Sequence, residues 1–186
     1  MGKLHLAINC AETISRYRIK NYVETGLHHG DSINEVLKFK LNAYHGIELD
    51  KNKCTMCIER FGEKINVYEG YSEDKLPEVL GNLTLEPTLF WLDAHFPNDD
   101  SYSDINFELK LPLETELNII FNNRNIKNDV FVIDDLRIYT DEITNVWKDR
   151  KTNGANNFKF INTIFDETHD IKIVDKNEGY LVCTPI

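Results

Sequence analysis

The sequence predicts one α/β domain over residues 1–186, built as a three-layer sandwich around a mostly parallel seven-stranded sheet that finishes in an antiparallel C-terminal hairpin. Three observations predict it. Strand-like and helix-like stretches alternate from Asn21 onward, which argues for a parallel sheet with helices on both faces. Two stretches, Thr88-Leu89-Phe90-Trp91-Leu92 and Val130-Phe131-Val132-Ile133, are nearly continuous apolar runs, as strands covered on both faces require. Residues 171–174 and 180–184 flank Asp175-Lys176-Asn177-Glu178-Gly179 and read as a hairpin, so one terminal strand must run against its neighbour.

The elements follow in order. Asn21-Tyr22-Val23-Glu24-Thr25 reads as a short strand ending at Gly26. Gly30-Asp31-Ser32 opens a helix to about Phe39, with Ile33, Val36 and Leu37 at helical spacing. Residues 43–49 form a second strand. Asp50 suits the N-cap of a helix carrying Cys54, Cys57, Ile58 and Phe61, which Gly62 ends. Residues 65–71 form a third strand, and Ser72 is expected to cap a helix reaching Leu80. The fourth strand, 88–92, ends at Asp93 and leads into a polar loop over 96–110. Pro112 suits the first turn of a helix carrying Leu113, Leu117, Ile120 and Phe121. The fifth strand, 130–133, ends at Asp134 and Asp135. A polar stretch follows, in which 145–157 is a candidate lid or surface loop, and then a helix over 158–165.

Composition narrows the function classes. An apolar share of 41% supports a real core, and 28% charged residues suit a wet surface. No apolar run reaches the roughly 18 residues that a membrane span needs. His5 and Asn9 interrupt the first ten residues where a signal peptide would be continuously apolar, so neither membrane nor export is expected. A net charge of −10 and a pI of about 5.0 repel phosphate backbones, so nucleic acid is not an expected partner. Cys54 and Cys57 form a C-x-x-C, but no further zinc ligands follow at close spacing. A thioredoxin-like pair would stand at the first strand–helix junction, whereas this one follows the second strand. Two helix residues three apart sharing a buried face is the simpler reading. Reduced thiols without a signal peptide point to the cytoplasm. The terminal strand pairing is a candidate contact for a homo-oligomer.

The residues with chemical potential all fall at strand ends, where open parallel sheets bind ligands. In Glu24-Thr25-Gly26-Leu27-His28-His29-Gly30-Asp31-Ser32, Gly26 permits a sharp turn close to a ligand and Gly30 a tight helix start. The helix N-terminus offers free N–H groups to a carboxylate, and Glu24 offers a partner to an ammonium, which together suit an amino-acid tail. The fingerprint G-x-G-x-x-G is not matched, because His28 stands two after Gly26, and no Lys makes a P-loop. Glu48, in Gly46-Ile47-Glu48-Leu49-Asp50, lies 22 positions after Gly26 and can accept both ribose hydroxyls of a dinucleotide or an adenosyl ligand. Glu69-Gly70-Tyr71-Ser72 closes the third strand, on the adenine side of such a site. Asp93-Ala94-His95 and Asp134-Asp135 close the fourth and fifth strands. Carboxylates at this density raise one another's pKa and suit Mg²⁺ or another divalent cation. His95 is a candidate general base.

These motifs in this order, Y-V-E-T-G-x-x-x-G-D-S, G-I-E-L-D, E-G-x-S, F-W-L-D-A-H-F, L-P-L-x-x-E-L and V-F-V-I-D-D, resemble the class I S-adenosylmethionine (SAM) dependent methyltransferases. The chain is most similar to the small branch near the metal-dependent sugar O-methyltransferases, over roughly residues 22–139. The resemblance implies a Rossmann-like fold, SAM as cofactor and a hydroxylated small-molecule acceptor. It implies Glu24, Gly26, Ser32, Glu48 and Ser72 as cofactor-binding residues, and the strand-end reading adds Thr25, Gly30, Asp31, Leu49 and Asp93 to that set. It implies Asp93 as a metal-binding acid and catalytic base and Asp134 and Asp135 as the paired acids that complete a divalent-cation site; His95, read from its place beside Asp93, is the second candidate catalytic residue. The sugar enzymes carry longer N-terminal segments, and here about twenty residues precede the first strand, so a short lid is expected. A nicotinamide-dependent oxidoreductase explains Glu48 but neither the glycine spacing nor the hairpin. A non-catalytic SAM-fold protein is the other alternative, and the four polar residues gathered at one edge argue against it.

Overall fold

The computed structural model describes residues 2–95, 111–136, 139, 159–177 and 179–186. Two short helices, α1 (Leu4–Ala7) and α2 (Cys10–Arg16), precede β1 (Asn21–Thr25). Then come α3 (Asp31–Val36), β2 (Ala43–Glu48), α4 (Lys51–Phe61), β3 (Asn66–Glu69), α5 (Ser72–Asn82), β4 (Thr88–Leu92), α6 (Leu113–Asn123), β5 (Val130–Ile133), α7 (Lys159–Phe165), β6 (His169–Val174) and β7 (Tyr180–Pro185). The strands form one seven-stranded sheet in the order β3-β2-β1-β4-β5-β7-β6. Strands β1 to β5 pair in parallel, and β7 pairs antiparallel with both β5 and β6. The predicted α/β class, mostly parallel sheet and terminal hairpin are all present.

Strand alternation builds two cores. Val23, Ile47, Phe90, Leu92, Phe131 and Ile133 face α5, α6 and α7, with Leu76, Val79, Leu117 and Ile120 packed on them. Their neighbours Tyr22, Leu89, Trp91, Val130 and Val132 face the opposite way, onto Ile33, Val36, Cys57, Phe61 and Leu4. Both faces of the central strands are therefore dry, which explains their near-continuous apolar sequence.

Local signals hold at several helix ends. The Asp50 side chain accepts from the N–H groups of Asn52 and Lys53, and Gly62 ends α4 at a φ of 57°. Ser72 is different from its expected role: it is the first residue of α5, Tyr71 holds the N-cap position, and no side chain caps the helix. Pro112 stands at the N-cap of α6, one residue before the helix. Phe121 lies on the outer face of α6 and is 48% exposed, so it does not join the stripe of Leu113, Leu117 and Ile120. The helix after Gly30 is α-helical only to Val36 and tightens to a 3₁₀ turn over Leu37–Phe39. The polar loop 96–110 and the candidate lid 145–157 lie outside the described residues.

Candidate functional site

Strand order reverses between β1 and β4, so the crevice beyond their C-terminal ends is the place where this architecture receives a ligand. Thr25, Glu48, Asp93 and Asp134 all lie on that edge. The turn after β1 is fastened from several sides. The N–H groups of Gly26 and Leu27 both donate to the Ile47 carbonyl, at 3.0 Å. Glu48 accepts from the His28 N–H at 2.6 Å through Oε2 and from the Asp50 N–H at 2.9 Å through Oε1. One carboxylate thus joins the glycine turn to the start of α4, and each oxygen keeps lone-pair capacity toward the crevice.

The two glycines of the turn serve close packing. A Cβ on Gly26, at a φ of 77°, would lie 2.4 Å from the Asp93 carbonyl oxygen. A Cβ on Gly30, at a φ of 74°, would lie 2.5 Å from the Phe61 ring. Gly26 therefore lets the end of β1 meet the end of β4, where the Asp93 N–H donates to the Thr25 carbonyl at 3.1 Å. Cys54 and Cys57 do share the buried face of α4, and each has a task there: their thiols donate to the carbonyls of Glu48 and His28. Burial pushes these thiols up to about 12 and about 11, far from the reactive range.

Glu24 is buried beneath this turn. It accepts from the Tyr22 hydroxyl at 3.0 Å and from the Ile33 N–H of α3. Burial holds its carboxyl well above the usual range despite those two donors. Ser32 is buried beside it, and Leu49 is half-buried at the end of β2. Asp31 turns outward, where its carboxylate meets Arg60 at 3.2 Å, while the same guanidinium donates to the His29 carbonyl.

The second half of the site is an acidic cluster. Asp93, His95 and Asp134 each offer one ligand atom, and the three atoms lie within 4.8 Å of one another. Asp134 is 1% exposed and lies against the Asp93 carboxyl and the backbone of Asp135. Burial, then the neighbouring Asp134 and Asp135, raise the Asp93 carboxyl. Burial and Asp135 likewise raise Asp134. Asp135, at a φ of 50°, bonds the Nε2 of His95. The structure thus gathers Asp93, Asp134 and His95, with Asp135 placed behind the imidazole.

The same architecture recurs in solved structures. It superposes on a putative caffeoyl-CoA O-methyltransferase from Staphylococcus aureus with a TM-score of 0.66, at 12% identity, over 100% of this chain and 85% of that one. The O-methyltransferase from Bacillus cereus in complex with SAH aligns at a TM-score of 0.61 and 17% identity, over 100% and 82%. The O-methyltransferase TomG from Streptomyces achromogenes, in complex with SAM, aligns at 0.58 and 15% identity, over 97% and 82%. The chain has a Rossmann-like methyltransferase fold. No protein-family model and no curated protein matches the sequence.

Two features of this methyltransferase fold lie beyond what the motifs indicate. The first is Glu116, a carboxyl 1% exposed on the core face of α6, whose Oε1 is buried without a hydrogen-bond partner among the described residues. Burial lifts it to about 7. The sequence does carry a signal for it: Glu116 falls three after Leu113 and four before Ile120, on the apolar stripe itself. The second is the N-terminal segment. Gly2 is buried against Asp134, the Lys3 N–H donates to the Tyr180 hydroxyl at 3.2 Å, Leu4 is fully buried, and His5 Nδ1 meets Glu35 at 2.6 Å. Among the described residues, no helix is long and apolar enough to cross a membrane.

Proposed function

We propose that the chain transfers a methyl group from SAM to an oxygen of a small hydroxylated, sugar-like acceptor, with help from Mg²⁺ or another divalent cation. The observation that carries this reading is the Glu48 carboxylate, which braces the turn after Gly26 at the point where strand order reverses and still has lone pairs to offer ribose hydroxyls. The presence of SAM or SAH in structures of the same fold supports it.

In this reading the ligand's amino-acid tail meets Glu24 and the backbone of Thr25, Gly26, Gly30, Asp31 and Ser32. Its ribose meets Glu48, and its adenine lies by Leu49 and Ser72, with Asp93 at the methyl end. Glu24 suits an ammonium because a buried carboxyl pushed upward gains from a nearby cation. The acidic cluster fits a divalent cation as well: a buried Asp134 beside Asp93 and His95, with Asp135 next to them, is an oxygen-rich set short of positive charge. Asp93, Asp134 and His95 would hold it, with Asp135 supporting the ring. When bound, the cofactor supplies a methyl group already activated on a sulfonium, and the cation a Lewis acid that lowers the pKa of a hydroxyl.

The chain's own residues then orient the acceptor and take its proton. Asp93, raised by burial and by Asp134, is a stronger base than an ordinary carboxylate once ionised. His95 is the alternative base where it does not hold the cation, with Asp135 bonded to its ring. The acidic mouth favours a neutral, polyhydroxylated acceptor. Four free cysteines agree with a cytoplasmic setting.

Titration calorimetry with SAM, SAH and NAD side by side tests the cofactor. SAM and SAH should bind and NAD should not; binding of NAD alone overturns the reading. Mn²⁺ should raise the melting temperature of the wild type but not of Asp134→Asn.

A further inference from the structure

Strand β6 closes one side of the sheet, and its outer edge meets no strand among the described residues. The Ile186 N–H donates to the Thr168 carbonyl at 3.2 Å, just beyond the register that pairs His169 with Pro185. Antiparallel ladders alternate, so Asp170, Lys172 and Val174 turn their backbone groups toward β7. His169, Ile171 and Ile173 turn theirs to the open side. A strand edge that presents such a row of donors and acceptors is a template for another strand.

The side chains select which strand. Asp170 and Lys172 flank Ile171, are both exposed, and lie on one face of β6. Neither forms an ion pair with another described residue. Antiparallel pairing of two β6 edges about a two-fold axis at Ile171 sets Asp170 of each copy against Lys172 of the other. These are non-hydrogen-bonded pairs, in which side chains come closest, while Ile171 meets its own copy and residues 169 and 173 exchange backbone bonds. An axis at residue 170 would set Asp170 against itself, and one at residue 172 would set Lys172 against itself, which like charges disfavour. Charges on an edge strand commonly guard it against pairing. Here opposite signs stand symmetrically about one residue and favour a single register. Ile173, 40% exposed on the other face, gains cover in the same arrangement. The opposite edge of the sheet has no such pattern: β3 has four residues, and Glu69 is its only charged side chain.

We propose that the open edge of β6 pairs antiparallel with the same edge of a second copy of this chain, centred on Ile171, so that two seven-stranded sheets run on as one. The contact is isologous and closes at the dimer. It lies at the sheet edge, away from the crevice between β1 and β4, and is independent of what that crevice binds.

The test is sedimentation velocity of the full chain over a concentration series reaching high micromolar, at fixed ionic strength. Wild type should pass from monomer to dimer. D170K and K172D each turn two attractive pairs into repulsive ones and should each weaken the dimer by roughly tenfold or more. The exchange D170K/K172D restores opposite signs with the net charge unchanged, and should bring the dimer back to within about threefold of wild type. Ile173→Pro removes an outward N–H while sparing the ladder to β7, and should abolish the dimer. The charge variants are surface changes, so they carry the test if the proline variant does not fold. A wild type that stays monomeric, an assembly larger than two, single reversals that leave the dimer intact, or an exchange that fails to restore it would each overturn the proposal.

Discussion

The backbone of Gly2 rests directly on the carboxylate of Asp134: a Cβ at residue 2 would lie 1.7 Å from Oδ2 and 2.2 Å from Cγ. No side chain fits there unless the Asp134 carboxylate or the N-terminal segment moves. Gly2→Ala should lift this segment off the cluster, breaking the Lys3 N–H bond to Tyr180 and uncovering Leu4, which is fully buried. Exposing one leucine costs about 2 kcal/mol. Urea unfolding should show a loss of that size, and the Lys3 amide should exchange faster. Unchanged stability together with unchanged exchange would show that the contact carries no weight.

Gly81 is the contrasting case. It lies near the end of α5, exposed, and a Cβ there would meet nothing within 4 Å. Gly81→Ala should therefore stabilise the chain by about 0.5 kcal/mol, through helix propensity and a less free unfolded state. A lower urea midpoint in the variant would contradict this.

The strands with the sharpest apolar contrast, β1, β4 and β5, are legible to the residue in the sequence, because both their faces are dry. Their ends are legible for the same reason, so the amino-acid pattern alone places Thr25, Asp93 and Asp134 on one edge, and Glu48 joins them as the end of the strand read over 43–49. What it does not reveal depends on contacts distant in sequence. The approach of Gly26 to Asp93 and the turn of Asp31 toward Arg60 join residues tens of positions apart. Helices α1 and α2, of 4 and 7 residues, are too short to show a period; tertiary packing of Leu4 and capping by Asn9 hold them. Glu116 is hidden for another reason: an acid on an apolar stripe reads as a gap in the stripe until the fold is seen to bury it there.

Glu48 supports the glycine turn whether or not a ligand is present. Glu48→Gln would set an amide N–H against one of the backbone N–H groups of His28 or Asp50. The expected loss is about 1–3 kcal/mol of stability, with SAH binding weakened at least roughly tenfold, since one ribose acceptor is lost too. Calorimetry and denaturation on the same variant separate the roles. A stability loss with intact SAH affinity would make Glu48 a brace for the turn and nothing more.

Glu116 also sets a pH dependence. Its folded-state carboxyl titrates at about 7 against 4.5 in the open chain, because burial opposes the charge. The folded state therefore holds the proton more tightly than the unfolded one. The stability this provides is fully present below about pH 4.5 and is lost as pH rises through 7. By pH 8 the loss approaches roughly 3 kcal/mol as an upper bound. Asp93 and Asp134 contribute with the same sign, so wild type alone does not isolate the effect. Glu116→Gln does: its stability relative to wild type should rise between pH 5 and pH 8 in guanidinium titrations. Parallel pH profiles for the two proteins would refute it.

Arg124 tests whether the opposite edge of the sheet is purely structural. Its guanidinium grips Asp129 with both arms, Nε to Oδ2 at 2.6 Å and Nη2 to Oδ1 at 3.0 Å. It also donates to the carbonyls of Thr84 and Glu86 and to Thr88 Oγ1, at the N-terminal start of β4. Asp129 in turn accepts from the Thr88 N–H at 2.8 Å, and His169 bonds the Asp129 carbonyl. Arg124→Ala leaves Asp129, 1% exposed, without its cation, while burial already pushes its carboxyl upward. Removing one partner of such a buried pair costs about 3–5 kcal/mol. The site lies at the far end of β4 from Asp93, so SAH affinity should stay within about twofold, as expected for independent sites. Asp129→Asn in the Arg124→Ala background should recover part of the stability by removing the stranded charge. A stability loss below about 1 kcal/mol for Arg124→Ala, or an equal loss of SAH affinity in the folded variant, would show that the two edges are not separate in the way the sheet implies.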